Sequence, residues 1–184
     1  DGAMRIVLSW YGTLDFDSHL EIPVTDAQDG ASGNTDSTHL WWSTGQAENQ
    51  SYSGVATDDY HVYTDIYESP QDYVALDQDN TGGIVATCPS GKTCGPETIT
   101  ISKVRSSGSY RFHVHNFETR GQNGSELTDN GTYVQVFYED TSYNFYVPNS
   151  NGDLWTVFDF DNRTGFTQIN TMNSEQTPGL VDNY

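Results

Sequence analysis

The stretch Ser109-Tyr110-Arg111-Phe112-His113-Val114-His115-Asn116-Phe117 decides the fold class. Tyr110, Phe112 and Val114 point one way; Arg111, His113 and His115 point the other. Side chains alternate across a strand, whereas a helix would space its apolar residues three and four apart, so this is a strand with one face on a core. The same period recurs on both sides of it. Ile6, Leu8 and Trp10 alternate with Val7, Ser9 and Tyr11. Ile99 and Ile101 mark another strand, with Glu97 at its start. Val134–Tyr138, Tyr143–Val147 and Leu154–Phe160 continue the pattern, and His39–Ser43, His61–Ile66 and Tyr73–Asp77 are shorter candidates. Asn130-Gly131, Asn151-Gly152-Asp153, Ser107-Gly108 and Thr81-Gly82-Gly83 supply turns between them. No segment has a capped amphipathic helical pattern, so helices should be short or absent. The expectation is an all-β chain, an antiparallel β-sandwich of about eight to ten strands.

Composition supports a folded domain despite its polarity. Only 34% of residues are hydrophobic, which suggests disorder, yet 13% are aromatic, and aromatics bury large areas and favour strands. The 184 residues suit a single domain, residues 1–184, with 1–4 read as a cloning remnant and 167–184 as a last strand or a linker. Seven Lys+Arg face 26 Asp+Glu, a formal net charge of −19. That balance excludes nucleic acid as a partner and opposes anionic membrane surfaces. No apolar run approaches the roughly 20 residues that span a bilayer, and no signal peptide is evident, as in a domain excised from a longer protein.

The acid is Asp-rich, 18 Asp against 8 Glu. Asp belongs to turns and to oxygen-rich cation sites, although a salt-adapted surface gives the same excess. Leu14-Asp15-Phe16-Asp17-Ser18-His19-Leu20, if extended, puts Asp15, Asp17 and His19 on one face. Leu76-Asp77-Gln78-Asp79-Asn80-Thr81-Gly82-Gly83 begins like an EF-hand loop, but its twelfth position is Cys88 and no helices flank it. Glu97 follows shortly downstream, and Asp58-Asp59, Asn149/Asn151/Asp153 and Asp159/Asp161 are smaller clusters. The candidate metal ligands are Asp15, Asp17, Asp77, Asp79, Asn80, Glu97 and Asp59. Clustered carboxylates and carbonyl oxygens select Ca²⁺, several ions of it, because calcium takes six to eight oxygen ligands. Long polar stretches at Thr25–Thr38, Gly45–Asp58 and Glu118–Asn130 are candidate functional loops. Cys88 and Cys94 are separated by Pro-Ser-Gly-Lys-Thr, spacing that fits a disulfide-stapled loop in an oxidising compartment, with two free thiols the alternative.

In order and spacing, Leu14–Leu20, His61-Val62-Tyr63, Val74–Thr81, Gly95–Ile101 (GPETITI) and Gly108–Phe117 resemble the calcium-dependent peptide-binding domain of RTX adhesins, giant surface proteins of Gram-negative bacteria. The resemblance covers about residues 5–160 and extends to secreted β-sandwich domains with a D-x-D-x-H-L signature. It implies a calcium-loaded module at the bacterial cell surface, joined to neighbouring domains of a longer chain. Such modules hold the free C-terminal end of peptides on other cells, for adhesion and biofilm formation. Asp15, Asp17, Asp77, Asp79 and Glu97 fall on the acidic motif positions, and His115 and Asn116 on the H-N-[YF] strand end. The Cys88–Cys94 segment is an insertion relative to simpler relatives, which puts ligand contacts near it in doubt.

For ligand contact, Arg120 offers a bidentate clamp for a carboxylate, and Trp41, Trp42, Tyr60 and Tyr63 offer aromatic walls. Adjacent strand residues face opposite ways, so at least one of Trp41 and Trp42 belongs to the core. A calcium-dependent lectin-like module is the competing reading. No G-x-S-x-G or H-E-x-x-H motif is present, so an enzyme is not expected. His19, His113 and His115 read as supporting or surface residues.

Overall fold

The structure, a computed structural model, describes residues 3–23, 37–42, 60–63, 74–80, 93–106 and 108–184. Two antiparallel sheets pack face to face. The strands are β1 (Met4–Tyr11), β2 (Phe16–Pro23), β3 (Ser37–Leu40), β4 (Tyr60–Tyr63), β5 (Val74–Gln78), β6 (Thr93–Ile101), β7 (Ser109–Asn116), β8 (Tyr133–Tyr138), β9 (Thr141–Tyr146), β10 (Leu154–Asp161) and β11 (Gly165–Asn173). The first sheet runs β4-β5-β6-β1-β8-β9 and the second β11-β10-β7-β2-β3. The all-β sandwich is as the alternation predicts. The eleven strands among the described residues exceed the expected range because two more segments pair: the D-x-D-x-H segment is β2, and residues 165–173 form β11. Among the described residues, helix is confined to one turn, α1 (Glu126–Asp129), and a terminal 3₁₀ turn, Pro178–Asn183.

The core lies between the sheets. Ile6, Leu8 and Trp10 of β1 meet Phe112 and Val114 of β7 and Phe158 and Phe160 of β10, all essentially inaccessible to solvent. Met4, assigned to a cloning remnant on sequence, is the first core residue of β1. Trp10 also fixes the passage from one sheet to the other. Its indole N–H donates to Leu14 O at 2.9 Å, and its ring lies 5.4 Å from that of Phe16. Gly12 turns here at φ +96°, where a Cβ would lie 2.4 Å from Asn130 Oδ1. The β1–β2 turn therefore delivers Asp15 and Asp17 to one end of the sandwich.

The outward face of the second sheet is covered as well. Of the two readings of His19, His113 and His115, supporting or surface, burial excludes the surface one: all three are completely buried. The last ten or so residues, beyond β11, lie across them. His115 Nε2 donates to Glu175 O at 2.8 Å, Val181 is buried, and Arg111 reaches Tyr184 O at 3.0 Å while clamping Asp159 at 2.7 and 2.9 Å. His113 bridges Glu21 and Thr156 at 3.0 Å each. His19 and His39 share a hydrogen bond of 2.8 Å, and Trp41 stacks on both rings at 5.7 Å.

Burial, then the neighbouring His113, pushes His39 down to about 3. A histidine held neutral in the fold contributes stability that is complete above its unfolded value near 6.5 and is lost as pH falls toward 3. Between pH 6.5 and 5 this loss amounts to about 2 kcal/mol. Denaturant melts of the parent and of His39→Asn at the two pH values check it: the difference between them should shrink by about that amount at pH 5.

Candidate functional site

β6 and β2 lie in different sheets, and the middle of β6 meets the start of β2 over a cluster of carboxylates. One oxygen each of Asp17, Asp79 and Glu97 lies within 4.8 Å of the others. Glu97 does not open its strand, as the sequence suggests; it sits in mid-β6, opposite Leu8, and is 1% exposed. Its two oxygens accept backbone N–H groups from Ser18 at 2.6 Å and Asn80 at 3.3 Å. Like charges are thus brought together where water is scarce. At a ~4 Å separation each carboxylate pair repels by roughly 4 kcal/mol at an effective dielectric near 20.

The consequence is a set of acids that resist ionisation. Burial, then Asp17 and Asp79, holds Glu97 well above the carboxylate range. Burial, then Asp15 and Asp79, does the same to Asp17, offset in part by Arg120. Asp79 is raised by burial and shares a hydrogen bond with Glu97. Asp15, flanking the three, is pushed up to about 6 by burial, then by Asp79 and Glu118. Asp15 Oδ1 and Asp17 Oδ2 are buried with no hydrogen-bond partner. Oxygen donors, buried and partly unsatisfied, fit a hard cation.

The sequence-selected residues divide. Asp15, Asp17, Asp79 and Glu97 converge, and Asn80 joins them through its backbone. Asp77 does not belong to the trio: its carboxylate accepts from Thr100 Oγ1 at 2.5 Å, since β5 alternation turns it away from the core that Leu76 faces. Asp59 and Cys88 lie outside the described residues, as do the side chains of Tyr60, Tyr63 and Cys94. Of the smaller clusters, Asp159 pairs with Arg111 and Asp161 with Arg163 at 2.6 Å.

His115 and Asn116 build the site's supports. His115 anchors the tail through Glu175 O, and Asn116 closes the following turn by pairing its amide with Thr119 Oγ1 at 2.5 Å and accepting from Thr119 N at 3.2 Å. That turn places Arg120, whose guanidinium lies 4.1 Å above the Phe117 ring. Trp42 stands edge-on to Phe117 at 5.7 Å and to Trp41 at 5.3 Å. Trp42 packs against the core, as expected of at least one of the pair, while Trp41 stacks on His19 and His39.

One residue that sequence left in a minor cluster controls this loop. Asp153 is completely buried and accepts Gln122 N and Glu175 N at 2.8 Å each. Its only sequence signal is the Asn-Gly-Asp turn, which any exposed loop shares. No protein-family model, curated protein or solved structure matches the chain.

Two outcomes follow. Asp153→Ala should cost roughly 2 kcal/mol, since it removes a buried carboxyl that accepts two backbone N–H groups; urea unfolding measures it. Asp15→Asn should raise the melting temperature of metal-free protein at pH 7.5 and leave it unchanged at pH 4. A carboxyl raised by folding destabilises above its unfolded pKa and not below it.

Proposed function

We propose that this chain is a calcium-loaded, non-enzymatic binding module that holds the free carboxylate end of a peptide. The observation that carries the reading is the convergence of Asp17, Asp79 and Glu97 beside Asp15, with two buried carboxylate oxygens unpartnered. The donors are oxygen throughout, with no Cys or His among them, which favours Ca²⁺ over zinc or copper. Bound there, calcium with coordination positions left open supplies a positive centre for an anionic ligand in a chain of net charge −19. Arg120, held over Phe117, adds a second cation, and Phe117 with Trp42 supplies an apolar wall for the side chains before the terminus. The resemblance to adhesin peptide-binding domains supplies the setting: the outer surface of a bacterium, within a longer chain, engaging peptide ends on neighbouring or host cells.

Thermal melts in EDTA and in millimolar Ca²⁺ test the metal. At a hundredfold excess over Kd, binding to the folded state adds about 2.7 kcal/mol, a shift of roughly 5–10 °C. Calcium affinity should rise with pH through about 6, where Asp15 gives up its proton to admit the cation. Calorimetry with a C-terminal peptide library, each member free or amidated, tests the ligand. Binding that needs both calcium and a free terminus supports the proposal. No melt shift, or equal binding of amidated peptides, overturns it.

A further inference from the structure

The two outer faces of the sandwich are treated differently. The second sheet is covered by the chain's own tail, whereas the β1-β8-β9 part of the first sheet carries exposed aromatics. Tyr146 is 66% exposed, Tyr11 46% and Phe137 43%. The register makes these one surface. Tyr133 faces Tyr146 across the strand pair with ring centroids 6.2 Å apart; Gln135 faces Asn144; Phe137 faces Ser142. From Tyr133 to Phe137 the row is about 14 Å long. Beyond Phe137 it opens into a groove of about 630 Å³ bordered by Arg5, Thr100, Thr141 and Ser142, with the acids Glu139 and Asp140 of the β8–β9 turn at its far end.

Three properties narrow the occupant. First, the outward positions of β1, β8 and β9 carry no acid, in a chain with 26 Asp+Glu; the only charge among them is Arg5. An anion such as nucleic acid, which also stacks on aromatic platforms, finds almost nothing to neutralise it. Second, the centre is polar and the surround aromatic. Gln135 Nε2 donates to Asn144 Oδ1 at 3.0 Å, and the amide oxygen of Gln135 and the amide N–H groups of Asn144 have no partner among the described residues. A protein interface has the opposite anatomy, an apolar centre with a polar rim. Third, an acceptor beside donors, flanked by flat rings, matches a molecule with apolar C–H faces and neighbouring hydroxyls around its edge. A sugar ring has that chemistry.

We propose that the outer face of β1-β8-β9 is a calcium-independent binding platform for an uncharged glycan chain. Tyr133, Tyr146 and Phe137 stack on sugar faces, and Gln135 with Asn144 pairs with hydroxyls. The site is separate from the carboxylate cluster and does not depend on the reading of it.

Affinity electrophoresis tests the proposal, in native gels containing soluble uncharged polysaccharides (hydroxyethylcellulose, glucomannan, xylan, dextran, laminarin), run with calcium and with EDTA. At least one polysaccharide should retard the protein equally under both conditions. Tyr146→Ala, and separately Gln135→Ala, should weaken that retardation about tenfold, the size of one stacking or hydrogen-bonding contact. Melting temperatures close to the parent's would show that both variants fold. Retardation by none of the polysaccharides overturns the proposal, as does retardation that EDTA abolishes. Self-association in light scattering that Tyr146→Ala relieves, without glycan retention, overturns it in favour of a contact between copies of the chain.

Discussion

A carboxylate buried between two sheets is the constraint on which the rest of this molecule depends. Glu97 belongs to the six-stranded sheet, yet its oxygen is held at 2.6 Å by the backbone N–H of Ser18 in the other. That bond ties the sheets together at one end. It also carries a charge into a place where burial alone costs several kcal/mol unless a proton or a cation accompanies it. Two N–H donors are insufficient compensation when Asp17 and Asp79 converge on the same point. The sandwich can close here with the cluster protonated or with a cation bound. Those alternatives differ in charge and in stability, so the metal question and the folding question are one question.

The supports around the cluster follow from the same requirement. Trp10 pins the β1–β2 turn through Leu14 O, so Asp15 and Asp17 cannot relax away from their neighbours. Asp153 spends both oxygens on backbone N–H groups, which offset part of the burial that raises its pKa, and this sets it apart from Asp17, buried with an oxygen unpartnered. A carboxylate satisfied by amides is an architectural element; one crowded by other carboxylates stores unfavourable energy that a ligand can release. This distinction lies in the partners, and residue type alone does not reveal it.

For that reason the strands were legible in the sequence and the site only in part. Period-two spacing is local, so Tyr110, Phe112 and Val114 declare their face without help from elsewhere. β2 escaped that reading because Asp17, Ser18 and His19 fill a strand with polar residues, all buried, and polarity ordinarily marks a loop. The acidic motifs gave Asp15, Asp17, Asp79 and Glu97. They also gave Asp77, which shares a motif with Asp79 but is turned aside by the pleat; a bulge between Leu76 and Gln78 shifts the register just there. The histidines stayed undecided between supporting and surface roles because alternation says which side a residue faces, while only the tail, dozens of positions later, decides whether that side is wet.

The distribution of charge completes the physical picture. With 26 acids against seven bases, the chain repels anions at long range, and a single divalent cation changes the total by only two. A carboxylate ligand at the cluster would therefore be captured at close quarters, where calcium, Arg120 and the scarcity of water outweigh a field that salt screens within about 10 Å. An uncharged ligand on the β1-β8-β9 face faces no such barrier at any distance. One acidic domain can in this way present two surfaces with different rules. At one end, binding is gated by a metal and by pH; on the flat aromatic face, it is governed by stacking and hydrogen bonds that neither calcium nor ionic strength should alter.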